Sequence, residues 1–296
     1  RGLGDVYKRQ ILLQGSSVKS LTFLGDMFDG VQCPCILLQL VATGKPLSTA
    51  GMMIEDRTRT FIIAMERTVV PENFSFRMTD EEYRVLEKIK NSIPVCYLAD
   101  HADFALGIVT GNNKKFLSAE KTEHSEMVLK GTDICKYHIN PAKQYLRFEP
   151  EQFQQVAPLE IYRAPEKLLY RFISNQLVVA YDDRQMLSLN SCNIVIPKIE
   201  GMQIKYILAI LNSSVSQFVY QKEFHSVKVL RAHMERIPIP CAGKEVQNEI
   251  IAMTEPLIHG MEKEAAEACR KRLDGRIMEL FRLSAEEQRI IRHALH

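Results

Sequence analysis

Up to Pro240 most apolar residues of this chain fall in short runs broken by turn-forming residues, with helical spacing after Thr79 and over 204–224, and beyond it helical spacing prevails. Short runs suit strands, whereas a sustained 3.6-residue period suits amphipathic helices. Strands and turns thus dominate up to residue 240, with helices intervening, and helices alone follow. Near the start, residues 20–24 alternate apolar and polar, and residues 35–41 form a nearly continuous apolar run. Such a run predicts a strand covered on both faces, as in an α/β sheet. Residues 60–65 give another apolar run after the charged residues 55–59. Strands with no helix between the last of them read as the end of a mixed sheet.

Helix starts are marked by chemistry as well as by period. Thr79 and Glu82 have capping-box spacing ahead of Tyr83, Leu86 and Ile89, which predicts a helix that residues 91–94 stop. Between residues 97 and 240 short strands and turns dominate. Residues 106–113 read as a strand entering a Gly-Asn turn, and residues 177–181 and 194–197 as compact strands. Residues 204–224 are helical, interrupted by Asn212, Ser213 and Ser214, which supply a start for a second helical piece. Residues 237–240 are extended because alternate prolines forbid the helix. Residues 244–259 and 262–281 are helical with breaks at Pro256 and Gly260, and Ser284 with Glu287 caps a last helix.

Composition narrows the class. The chain has 296 residues, 46% hydrophobic and 25% charged, with a formal net charge of +2. Those values fit a globular protein with a sizeable core, and the small net charge leaves any basic face to be found locally. The seven cysteines include no CxxC pair and no zinc-ligand spacing, so no metal site is expected. Cys33 and Cys35 flank Pro34 in an apolar run and are expected to be buried thiols. Reduced thiols, no long apolar segment and no secretory signal together predict a cytoplasmic protein with no membrane partner. Residues 1–10 lack a methionine and an apolar period, and Gly2-Leu3-Gly4 follows no strand. They read as a translation artefact ahead of a sequence that starts inside a domain.

No self-contained active site can be assembled. Methyl transfer to a base amine needs a Gly-rich loop after a strand and a polar residue followed by two prolines and an aromatic. No two prolines are adjacent anywhere in the chain. A restriction-type metal site needs Glu-x-Lys, and no glutamate has a lysine two positions later. Asp182-Asp183 then reads as a solvated turn. What remains is a binding surface. Arg163, Lys167 and Arg171 lie four apart, and a helix over residues 164–172 would align them to track phosphates. Lys222, His225, Lys228 and Arg231, with Arg236 beyond, form a second basic stretch. Asn112, Asn113 and Lys114 stand in a turn from which they could reach bases or phosphates. The alternative for each group is a solvated helix face, a cation-bearing helix end or a good turn. In the last helices the charges interleave, which favours solvated or internally paired faces.

Several segments in order resemble one family. Residues 104–113 (Phe-Ala-Leu-Gly-Ile-Val-Thr-Gly-Asn-Asn) resemble the first strand and turn of the TaqI-like C-terminal specificity domain. Residues 130–137 (Lys-Gly-Thr-Asp-Ile-Cys-Lys-Tyr), 166–172, 189–194 and 206–213 continue the series, and residues 231–240 resemble its closing motif. Residues 24–31 and 34–40 resemble the last strands of the catalytic domain of adenine-specific DNA methyltransferases. Residues 272–277 and 283–287 resemble the C-terminal helix of type IIG-like restriction–modification enzymes.

The resemblance implies an α/β remnant, the last strands of a Rossmann-like methyltransferase sheet, in residues 11–75. A connector helix in 76–95 would follow, then an α+β target-recognition domain in 96–240 and a helical tail in 241–296. It implies double-stranded DNA as partner, a missing N-terminal catalytic domain, and S-adenosylmethionine as cofactor of the full-length enzyme but not of this chain. The chain alone is expected to bind DNA and not to methylate it. A specificity subunit serving a catalytic partner in trans, or a protein-interaction module, are the alternatives.

Overall fold

In the computed structural model, residues 7, 10, 12, 14–31, 33–69, 76–224 and 226–295 are described. The chain divides into two compact units, Arg1–Leu86 and Glu87–His296. The first is built on a four-stranded sheet of order β2-β1-β3-β4. Strand β1 (Ser16–Asp26) pairs antiparallel with β2 (Pro34–Ala42) and parallel with β3 (Met53–Glu55), which pairs antiparallel with β4 (Thr60–Ile62). The sheet is therefore mixed. Val18, Leu21, Met52, Ile54, Ile63 and Phe76 form its core.

Strand β2 does not match its expected surroundings. It sits at the sheet edge and leaves Ile36, Leu37, Leu40 and Val41 exposed, Leu37 at 61%. A continuous apolar run records that a strand avoids water in its working context, not which strand neighbours it. Cys33 is likewise exposed and Cys35 half-buried, because they stand at the start of this edge strand and not in the core.

Helix α1 (Asp80–Asn91) begins as its capping box predicts. The Thr79 N–H donates to Glu82 Oε2 at 2.8 Å, and the Glu82 N–H donates to Thr79 Oγ1 at 3.2 Å. Arg67 ties the sheet to this helix start, donating to the Met78 carbonyl at 2.8 Å and pairing with Asp80 at 2.6 Å.

The second unit holds two four-stranded sheets and a two-stranded ribbon. The ribbon pairs β5 (Val95–Cys96) with β14 (Ile239–Pro240), Cys96 opposite Ile239. One sheet has the order β11-β10-β13-β6, from β6 (Ala102–Ala105), β10 (Lys167–Arg171), β11 (Val179–Asp182) and β13 (Cys192–Pro197), all antiparallel. Helix α2 (Asn113–Phe116) precedes the other sheet, of order β12-β8-β9-β7. Its strands are β7 (Leu117–Ser118), β8 (Glu126–Leu129), β9 (Tyr145–Leu146) and β12 (Leu187–Ser188). Helix α3 (Leu159–Tyr162) leads into β10.

Ile108, Val128, Leu129, Leu146, Leu169 and Ile194 belong to one buried cluster shared by these elements. The backbones approach so closely that a Cβ on Gly107 would lie 2.1 Å from the Leu189 carbonyl oxygen, and one on Gly131 2.5 Å from that of Ser191. Only glycine fits at either place.

Residues 164–172, expected as a helix, are largely strand β10. Leu168, Leu169 and Tyr170 are consecutive and all buried. A strand flanked on both edges and covered on both faces buries successive side chains; a helix with one covered stripe does not.

The helices after β13 follow the sequence closely. Helix α4 (Ile204–Asn212) ends at Ser213, whose hydroxyl accepts from the Ser216 N–H at 3.2 Å and so caps α5 (Ser214–Glu223). Helix α6 (Arg231–Met234) precedes β14. Helices α7 (Lys244–His259), α8 (Lys263–Leu280) and α9 (Ala285–Ala294) complete the chain. The Ser284–Glu287 capping box opens α9, with the Ser284 N–H 2.6 Å from the carboxylate.

Candidate nucleic-acid interface

The first basic group of the sequence is turned inward. Lys167 Nζ lies 2.6 Å from Asp182 Oδ2 and donates to the Tyr162 carbonyl at 2.6 Å, with no solvent exposure at either charged side chain. Asp182 also accepts from the Arg184 and Met186 N–H groups at 2.9 and 3.0 Å. Asp182 is thus a buried counter-ion and not a solvated turn residue, whereas Asp183 beside it is exposed. Burial lowers the Lys167 pKa, with Asp182 opposing the shift. Arg171 donates to the Gly131 and Ile134 carbonyls at 2.9 and 2.5 Å. Arg163 pairs with Glu126 at 2.5 Å and donates to the Gln185 carbonyl at 2.7 Å. These three cations hold the two sheets and their loops together and do not form a row of phosphate contacts.

In the second basic stretch the outcome varies along the chain. Lys222 is buried on α5 with its ammonium 5.7 Å from the centre of the Phe218 ring. His225 lies outside the described residues. Lys228 and Arg231 are exposed, and each stands over an aromatic ring: Lys228 Nζ 5.9 Å from Phe172, and the Arg231 guanidinium 5.2 Å from Phe104. Glu235 holds Arg231 through Nε at 2.6 Å and raises its pKa. Asn112 caps α2 by accepting from the Lys115 N–H at 3.2 Å, and Asn113 Oδ1 accepts from the Thr110 hydroxyl at 2.7 Å. Lys114 is exposed beside them.

One part of this surface escaped the sequence reading. The chain after β10 pairs antiparallel with the segment after α5, with Ile173 opposite Lys228. The Ser174 N–H donates to the Val227 carbonyl at 3.0 Å and the Val229 N–H to the Phe172 carbonyl at 2.8 Å. This bridge carries Ile173, Val227 and Leu230 into solvent, while Val229 is buried beneath them. The mixture of aromatics and basics before residue 173 was a signal, but pairing between segments some fifty residues apart leaves no local trace.

The space beside the glycines of close approach, Gly107 and Gly131, is filled by the chain's own carbonyls. No group of three His, Cys, Asp or Glu side chains among the described residues has a metal-holding arrangement.

Comparison with known proteins agrees with the order of segments. Residues 126–239 match the family model of the TaqI-like C-terminal specificity domain. Among solved structures, the chain resembles the type IIL restriction–modification enzyme MmeI, solved in complex with DNA. The TM-score is 0.59 at 9% identity, over 96% of this chain and 46% of that one. A weaker likeness joins it to the HsdS subunit from Thermoanaerobacter tengcongensis, with TM-score 0.38 and 15% identity over 73% of this chain and 50% of that one. Another joins it to the type IIG restriction endonuclease BpuSI, with TM-score 0.39 and 10% identity over 95% of this chain and 45% of that one. The chain thus spans about half the length of these structures. The likeness to MmeI establishes the mixed α/β fold. No curated protein matched the chain.

Proposed function

We propose that this chain is the sequence-specific DNA-recognition part of a restriction–modification enzyme. One observation carries the reading: the stretch that matches the specificity-domain family, residues 126–239, also contains the exposed, ring-supported cations Lys228 and Arg231. Cations on rigid supports neutralise phosphates with little ordering cost, while neighbouring groups read the bases. In the same reading residues 11–75 are the last strands of a methyltransferase catalytic domain, which the mixed sheet supports. Residues 241–296 are then a helical tail. The target base is adenine, and S-adenosylmethionine is bound by polypeptide outside this sequence. Exposed Asn112, Asn113 and Lys114 are a further candidate contact. Such an enzyme acts in the cytoplasm, and no helix among the described residues is long and apolar enough to cross a membrane.

The test is the salt dependence of binding to randomised duplex DNA. The logarithm of affinity should fall linearly with the logarithm of salt concentration, and Lys228→Gln should reduce the slope by about one. Lys167→Gln should instead destabilise the fold. Salt-independent binding, or none, would remove the reading.

A further inference from the structure

The bridge between residues 172–174 and 227–229 has a chemistry that phosphate tracking does not call for. Ile173 is 63% exposed, Val227 60% and Leu230 42%. Leaving a large aliphatic side chain in water forgoes the free energy gained by burying it. Here three such side chains are carried by two segments that backbone pairing anchors to each other. Val229 is buried, and two backbone hydrogen bonds fix the pairing. Ile173 stands cross-strand from Lys228, so the apolar tip and a cation are side by side, with Arg231 next along the chain.

Two chain segments paired side by side at a single bridge are of the width that the major groove, about 12 Å wide, admits; the minor groove, about 6 Å wide, does not. Among the base edges in the major groove, the apolar feature is the thymine C5 methyl. The flanking cations complement a polyanion and argue for nucleic acid over an apolar protein partner. We infer that Ile173 and Val227 read thymine methyl groups in the major groove of duplex DNA, with Lys228 and Arg231 on the adjoining phosphates. This inference rests on the DNA-recognition reading proposed above, and it names the residues and the base feature through which recognition occurs.

The experiment uses the full chain. A duplex enriched by it from a randomised pool is resynthesised with uracil for thymine, so that the methyl groups alone are removed. The wild-type chain should bind the uracil duplex at least about threefold more weakly, since one buried methyl-sized group is worth about 0.8 kcal/mol. The double variant Ile173→Ser/Val227→Ser should bind both duplexes with the affinity the wild type shows for the uracil form, its salt slope unchanged. Circular dichroism and thermal melting establish that this variant, altered only at exposed positions, is folded. Lys228→Gln should weaken binding to both duplexes alike. Equal wild-type affinity for the two duplexes, or a thymine preference that survives in the double variant, overturns the inference and leaves DNA recognition standing. If the chain enriches no duplex and shows no salt-dependent binding, the recognition reading fails and the inference with it.

Discussion

Lys167 and Asp182 form an ion pair wholly shielded from solvent, 2.6 Å between Nζ and Oδ2. Two charges out of water are tolerated only because backbone groups complete their hydrogen bonds, namely the Tyr162 carbonyl for the lysine and the Arg184 and Met186 amides for the aspartate. Removing one partner strands the other, so Lys167→Met should cost about 3–5 kcal/mol in chemical denaturation. Lys167→Met/Asp182→Leu should recover much of that loss. Backbone proximity sets a second limit. Gly107→Ala places a methyl against the Leu189 carbonyl and should destabilise by about 3 kcal/mol or more. Gly275→Ala, in open space within α8, should stabilise by up to about 1 kcal/mol by removing a glycine from a helix interior. A shared denaturation series checks both signs. In the sequence Lys167 is indistinguishable from a surface lysine, because the aspartate that claims it comes fifteen positions later on a neighbouring strand.

The first unit contains carboxylates that the fold holds below their usual range, Asp80 at the start of helix α1 among them. Burial pushes the Asp80 pKa up, but hydrogen bonds from Arg67 and the Ala64 N–H outweigh it and leave the group lowered. Glu66 is lowered by hydrogen bonds from Ser48 and the Thr49 N–H. A carboxylate whose pKa is depressed on folding contributes stability above its unfolded pKa and loses it as pH falls through the folded one. The first unit should therefore lose stability as pH falls below the ordinary carboxylate range, and Asp80→Asn, already weaker at neutral pH, should show a flatter acid limb in pH-dependent denaturation. The start of this helix was legible because a capping box is local: Thr79 and Glu82 satisfy each other three residues apart. The Ser213 break and the Ser284 cap were legible for the same reason. Strand β10 was not. Its four-residue cation spacing fits a helix face and also fits one face of a strand, and the choice was made by β11 and β13 pairing on either side. The binding surface was legible to the same degree, with Lys228 and Arg231 found in the sequence and their apolar neighbour Ile173 supplied only by tertiary pairing.

Taken whole, the described residues leave an apolar edge in water. Strand β2 presents Ile36, Leu37, Leu40 and Val41 to solvent at the edge of the sheet formed by the described residues, a geometry that invites strand addition. Concentration-dependent association should be measurable by light scattering, and Leu37→Lys should reduce it without lowering the melting temperature by more than a few degrees. Very different control is exerted at the β5–β14 ribbon. By pairing Val95 with Pro240 and Cys96 with Ile239, it brings the chain into the intervening hundred and forty or so residues and out of them at the same spot. That stretch is thus spliced in like a cassette. An exchange of coding sequence with its ends at this seam would swap one recognition surface for another while the flanking polypeptide kept its path, so new specificities could arise by recombination in single steps.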